Sequence, residues 1–362
     1  MSREACKRRV ERFLSYLGEK GLKYAVVMDR YNCFYLTGFE GAAAVVIRDG
    51  GAPLVLVPRQ VYFTARRAVE YGEVVALSKC ALDFAPDERV FVGGVWDYVE
   101  RELLASAPGS VGLDLVGLRA SDYLKARALT VRVEDISSVL REMRARKDEE
   151  EIAAIRMAVD VNRRAMERAL SSLEKGVTEL DILAEINRVL TLEDAFLPSR
   201  VLFGERTAEP YTRPSARELR EGDLVLIDIG TRLRGYCSDV TRTVVFGSPS
   251  AKVEKLVRLV KQAQREALSM IKPGVKAKAP DRAVREFFRK EGLSCYFNHD
   301  LGHGLGIEIR EYPALDPVSD ATIETGMVLA VEPGLYLPGL GGVRFEDDVL
   351  VTEEGCEVLS VF

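Results

Sequence analysis

Residues 224–243 read LVLIDIGTRLRGYCSDVTRT, an apolar run broken by Asp228, then a turn with Gly235, then a second run carrying Asp239. Two extended runs joined by a short Gly-containing turn specify a β-hairpin, and a hairpin can bring the two carboxylates to one point. Two unpaired carboxylates in an apolar strand pair would repel each other and resist desolvation; a cation between them removes both penalties. The blander reading keeps Asp228 as a turn cap and pairs Asp239 with Arg242, and the hairpin alone does not separate the two.

Working outward, HDLGHGLG (299–306) holds His299 and His303, the only two histidines of the chain. Imidazole is the commonest neutral metal ligand, and glycines on both sides of His303 let backbone approach a crowded centre. AVEPGLY (330–336) places Glu332 after an apolar strand, and GGVRFEDDVLV (341–351) places Glu346 inside a strand pattern.

The segments around these motifs suggest two domains. Short β-rich runs, YAVVM, FYLTGF, AAAVVIRDG and APLVLVP, follow a first amphipathic helix. Helical patterns at 60–71, 94–106 and 119–127 and strands in VGLDL and TVRVED complete an α/β domain over 1–133. A helical stretch from 134 to 173 is interrupted at Lys147 and Asp148, which sets a helical linker at 134–147 and an α+β domain at 148–362. In that domain we expect helices at 178–190, 251–271 and 279–291. Strands are expected at 199–203, 223–229 and 235–246, and near 305–310, 327–331, 343–351 and 357–361.

Composition narrows the function. A chain of 362 residues with 47% apolar content has material for two cores. Acids and bases nearly balance at a net charge of -5, so no global field favours nucleic acid or an anionic membrane. No apolar run reaches membrane-spanning length and no signal sequence opens the chain, which reads as cytoplasmic. Cys6, Cys33, Cys80, Cys237, Cys295 and Cys356 form no CxxC pair and are expected to be buried, reduced thiols.

The ordered set Asp228, Asp239, His303, Glu332 and Glu346 resembles the metal signature of the creatinase-fold metallopeptidases: prolidase, aminopeptidase P and, more distantly, methionine aminopeptidase. REMRARKDEEEIAAIRMA (141–158) resembles that family's interdomain segment, and YNCFYLTGF (31–39) its N-terminal domain. The resemblance implies a creatinase/prolidase-like α/β N-terminal domain and a C-terminal pita-bread domain built from two related α/β halves. It implies two divalent ions, with Asp239 and Glu346 bridging them, Asp228 on one, and His303 and Glu332 on the other. An oxygen-rich cage favours Mn, Co or Fe over Zn. The implied reaction is hydrolysis of Xaa-Pro bonds by a dipeptidase or aminopeptidase P, with a hydroxide between the ions as nucleophile and Glu332 as proton shuttle. Arg344 and Thr241 would orient the ligands. The implied substrate is a small peptide with proline after its N-terminal residue, and the implied assembly is a homodimer.

The pattern breaks at two places. EPYTRP carries Tyr211 and IREYP carries Arg310 where the family has substrate-side histidines; only His299 remains. Tyr211 keeps a hydroxyl donor. Arg310 cannot cycle a proton but can stabilise an oxyanion or clamp a carboxylate, unless it pairs at the surface with Glu308 or Glu311. These replacements also allow a non-peptidase pita-bread hydrolase or lyase acting on a small amide metabolite. A binding module that had lost catalysis would be expected to show an eroded cage.

Overall fold

The computed structural model describes residues 1–48, 50–81, 83–104, 110–129 and 132–362. The chain falls into two compact units, Met1–Arg144 and Ala145–Phe362.

The first unit opens with α1 (Arg3–Glu19), capped by the Ser2 hydroxyl and burying Val10, Phe13 and Leu17. Its seven-stranded sheet runs β5-β4-β3-β2-β1-β6-β7, with β1 Tyr24–Val27, β2 Ala44–Arg48, β3 Leu54–Pro58, β4 Glu73–Ser78, β5 Val90–Val92, β6 Ser110–Leu113 and β7 Arg132–Asp135. β1, β2 and β3 pair antiparallel, whereas β3-β4, β4-β5, β1-β6 and β6-β7 are parallel. β4 and β5 were not expected from sequence, because EVVALS and VFV lack clear turn punctuation on both sides.

FYLTGF is not a strand. Residues Arg30–Thr37 form α2, because the Asp29 carboxylate accepts the N–H groups of Tyr31 and Asn32, and Gly38 at φ 78° ends the helix. Capping at both ends outweighs the β preference of Phe, Tyr and Thr. The expected helices appear as α3 (Tyr62–Ala68), α4 (Val95–Tyr98) continuing into a π-helical stretch at Val99–Leu104, and α5 (Ala120–Leu129). Residues 105 and 106 of one expected helix, Asp49 of AAAVVIRDG and the first two of TVRVED lie outside the described residues. Cys80 and Cys295 are exposed, contrary to the expectation of burial for every thiol.

α6 (Ser137–Ala145) ends before Lys147, and α7 (Glu149–Ser171) begins at a capping box formed by Asp148 and Glu151. In the second unit, α7 and α8 (Glu179–Leu192) pack on a three-stranded sheet of β8 (Ser199–Phe203), β9 (Leu224–Leu233) and β10 (Tyr236–Val245). α9 (Ala251–Met270) and α10 (Lys278–Lys290) pack on a five-stranded sheet, order β12-β11-β13-β16-β17. Its strands are β11 Gly302–Gly304, β12 Glu311–Leu315, β13 Val328–Val331, β16 Asp347–Val351 and β17 Cys356–Val358, all pairing antiparallel. β14 (Gly334–Leu337) and β15 (Gly341–Arg344) form a separate hairpin. The strand expected at 305–310 is instead an irregular segment between β11 and β12, and 343–351 is split between β15 and β16 by Phe345 and Glu346. The domain is thus two helix-pair-on-sheet halves, each with its own apolar core.

Candidate metal centre

The β9-β10 hairpin supplies the first two carboxylates. Its two-residue turn, Arg234 at φ 49° and Gly235 at φ 90°, is left-handed at both positions, the backbone twist that suits a tight hairpin. The resulting register sets Asp228 opposite Thr241 and Asp239 opposite Gly230. Directly opposed residues share a face, so the two aspartates are diagonal neighbours on one side of the sheet.

The second half supplies the rest. His303 is the middle residue of β11, between β12 and β13. A Cβ at Gly302 would meet the Ala330 carbonyl oxygen at 2.0 Å, and one at Gly304 the Tyr312 carbonyl oxygen at 2.4 Å, so neighbouring backbone crosses both sides of the histidine at glycine-only range. Glu332 follows β13, its N–H bonded to the Leu301 carbonyl (2.7 Å), and Glu346 precedes β16, its N–H bonded to the Thr241 carbonyl (3.1 Å).

All five side chains are buried. One donor atom from each of Asp239, His303 and Glu346 lies within 4.8 Å of the others. Glu332 Oε1 is 3.5 Å and Asp239 Oδ2 3.9 Å from His303 Nε2. Asp228 joins through Arg344, whose Nη2 donates to Asp228 Oδ2 (2.6 Å) and whose Nε lies 3.9 Å from Glu332 and 4.0 Å from Glu346. Asp228 also accepts from Arg200 on the adjacent strand (3.1 Å). Arg242 bonds Asp347 (2.7 Å) and the Glu346 carbonyl (2.6 Å), so the pairing of Asp239 with Arg242 is not what forms.

Electrostatics here follow from burial. Desolvation, then Glu346, Asp228 and Glu332, hold the Asp239 carboxyl well above the usual range. Desolvation, then Glu332 and Asp228, do the same to Glu346, and burial brings Glu332 to about 7 against the pull of Arg344 and Arg310. Burial, reinforced by the Arg310 guanidinium, drops His303 to about 3, so the ring is neutral. Its Nδ1 lies 3.0 Å from the Gly304 carbonyl and so carries the proton, leaving the Nε2 lone pair facing the carboxylates. His303 Nε2 and Glu346 Oε1 are buried without a hydrogen-bond partner. Orphaned lone pairs among mutually repelling carboxylates are the donor set a cation satisfies, and the residues therefore fit a divalent ion.

The surrounding groups orient that set. Thr241 donates to Glu346 Oε2 (2.6 Å) and accepts from Arg344 Nε (3.0 Å). The Asp239 N–H donates to Asp348, a fully buried carboxyl that desolvation raises to about 8. Tyr336 accepts from Arg344 Nη1 (3.0 Å) and bonds His299 Nε2 (2.9 Å), while His299 Nδ1 meets the Asp300 carbonyl (2.8 Å). Both nitrogens of His299 are therefore engaged, and burial takes it to about 3. Arg310 Nη2 donates to Glu332 Oε1 (3.1 Å), and not to Glu308 or Glu311; Glu311 instead takes the buried ammonium of Lys147 (3.2 Å). Tyr211 is 58% exposed, with the Arg200 guanidinium 5.7 Å from its ring centre.

Arg200, Tyr336 and Asp348 were not singled out from sequence. Arg200 is significant only once β8 sets it opposite Asp228. Tyr336 looks like one more apolar residue of GLYL, and Asp348 like surface charge in EDD.

Residues 153–353 match the model of metallopeptidase family M24, and residues 9–146 that of the creatinase/prolidase N-terminal domain. The Xaa-Pro dipeptidase of Pyrococcus furiosus is 30% identical over 358 residues, covering 98% of both chains. A structure of an Xaa-Pro dipeptidase from Bacillus anthracis superposes with a TM-score of 0.88 at 28% identity, over 99% of this chain and 98% of that one. A structure of an X-Pro aminopeptidase from Thermotoga maritima gives 0.85 at 28% identity, over 98% and 97%.

Proposed function

The chain belongs to metallopeptidase family M24, a creatinase/prolidase-type N-terminal domain joined to a pita-bread catalytic domain, and from this we propose that it hydrolyses Xaa-Pro bonds of small peptides with two divalent ions. The observation that carries the proposal is the pair of orphaned, buried atoms, His303 Nε2 and Glu346 Oε1, converging with Asp239. Asp239 and Glu346 would hold both ions, Asp228 one, and His303 with Glu332 the other. Four carboxylates and one imidazole make an oxygen-rich set that suits Mn, Co or Fe and differs from the thiolate-rich sites of structural zinc. Bound there, the ions supply Lewis acidity, which favours deprotonation of water and polarises a carbonyl.

This chain's residues do the remaining work. Glu332 takes the proton of the attacking water and passes it to the leaving nitrogen. Arg344 and Thr241 fix the carboxylate rotamers through the bonds described above. Tyr336 locks the His299 ring in place, so His299 presents a fixed wall to the substrate instead of a free donor. Arg310 and Tyr211 stand at the solvent side.

A second reading, hydrolysis of a small non-peptide amide, is favoured by one observation: an arginine bonded to Glu332 occupies the place of a substrate-side histidine. One experiment addresses both. The purified protein is stripped with chelator, reloaded with Mn, Co or Zn, analysed for metal content, and assayed on Xaa-Pro dipeptides, Xaa-Pro-Yaa tripeptides and Xaa-Ala controls. We expect close to two ions per chain and cleavage confined to Xaa-Pro bonds. Metal uptake without cleavage of any peptide favours the second reading, and failure to retain any divalent ion overturns both.

A further inference from the structure

Two guanidinium groups stand between the cage and solvent, each tied to it by a single hydrogen bond. Arg310 is 52% exposed and reaches Glu332 through Nη2 alone. Arg200 is 34% exposed and reaches Asp228 through Nη1 alone. Among the described residues neither guanidinium makes another hydrogen bond, so each keeps several N–H donors free on the solvent side. Tyr211, with the Arg200 cation near its ring, lies within electrostatic reach of both arginines and of Glu332. Tyr211 is itself more than half exposed, and its hydroxyl adds a third donor at the same mouth.

Charge arithmetic sets what such a mouth attracts. Asp228, Asp239, Glu332 and Glu346 contribute four negative charges, and two divalent ions would contribute four positive ones. Arg344 is already committed inside. Arg200 and Arg310 then leave the loaded site with excess positive charge at its entrance, where a planar anion can take paired N–H bonds from a guanidinium.

We propose that Arg310 and Arg200 form a carboxylate-binding pair that selects substrates whose free C-terminal carboxylate lies next to the scissile bond, making the chain a dipeptidase in preference to an enzyme for longer peptides. The proposal rests on the peptidase reading above. A longer peptide moves its terminal charge away from the mouth and leaves the guanidinium donors facing a neutral amide, which they bind less strongly.

The test compares each Xaa-Pro dipeptide with its C-terminal amide and with Xaa-Pro-Yaa, for the metal-loaded wild type and for Arg310→Gln, Arg310→Lys and Arg200→Gln. Metal content and the binding of L-proline and L-prolinamide by titration calorimetry are measured on the same samples. In the wild type, kcat/KM for the acid should exceed that for the amide by about tenfold or more, the scale of one charge-assisted pair of hydrogen bonds. Arg310→Gln should collapse that ratio, mainly through KM, and Arg310→Lys should restore part of it. L-proline should bind the wild type more tightly than L-prolinamide, and the difference should shrink in both glutamine variants. Equal turnover of acid and amide by the wild type overturns the proposal and leaves the peptidase reading standing. If Arg310→Gln changes metal content and slows acid and amide alike, Arg310 is only a counter-ion of Glu332, and the proposal again falls. If no peptide is cleaved, the peptidase reading fails, and the calorimetry decides carboxylate selection by itself.

Discussion

Asp114, in the first unit, shows what a carboxylate costs where burial outweighs the pull of its neighbouring cation, Arg144. It is 1% exposed, accepts from Asn32 Nδ2 (2.5 Å), and leaves Oδ1 without a partner. Burial raises its carboxyl to about 6. A folded-state value above the unfolded one means that the folded chain holds the proton longer. The stability linked to it is complete below the unfolded value near 4 and is lost as the pH rises through 6. Asp114→Asn should therefore raise the unfolding midpoint at pH 8, by the several degrees that correspond to about 3 kcal/mol, and give no gain at pH 4; calorimetry at the two pH values checks it. The candidate ligands are the same chemistry with a use, and they were legible in sequence for that reason: Asp228, Glu332 and Glu346 put charge into apolar strand patterns. Arg200 and Asp348 sit where charge is unremarkable, and only strand register and burial give them meaning.

Elements were legible where periodicity and punctuation agreed. The β9-β10 hairpin and the helix pair α9 and α10 fell where pattern put them. α2 did not, because its fate was set by Asp29 and Gly38 at its ends and not by its β-leaning interior. The 305–310 segment looked like a strand and is instead a bend carrying Arg310 towards Glu332. Immediately after it, Glu311 is held by Lys147, an ion pair with both side chains at most 4% exposed. Lys147→Met removes the ammonium and leaves the carboxylate buried, which should cost about 3 to 5 kcal/mol. Pairing it with Glu311→Leu should recover most of that loss in urea unfolding. Because Arg310 neighbours Glu311, the single variant should also weaken discrimination between dipeptide and dipeptide amide. A stability loss that the double variant does not relieve would show that the pair is not what holds this bend.

For the whole molecule, the two units carry unequal chemistry. Every candidate ligand belongs to Ala145–Phe362, and none to Met1–Arg144. An ion that binds only the folded cage stabilises that unit by mass action, about 4 kcal/mol at a thousandfold excess over its dissociation constant. Chelation should therefore lower the calorimetric transition of the second unit and leave that of the first in place; two transitions moving together would contradict this. No helix among the described residues is long and apolar enough to cross a membrane. The chain's scarcity of imidazole has a practical outcome. One of its histidines, His303, belongs to the cage and the other, His299, stands beside it, and both stand near 3, below the range where this side chain ordinarily titrates. Isotopic labelling of that one amino acid would give a two-signal nuclear magnetic resonance spectrum, free of background from the rest of the fold, in which neither ring takes up a proton between pH 5 and 8 and any shift of the His303 signal near pH 7 reports Glu332, 3.5 Å away. One signal would respond to loading of the centre and the other to whatever enters beside it.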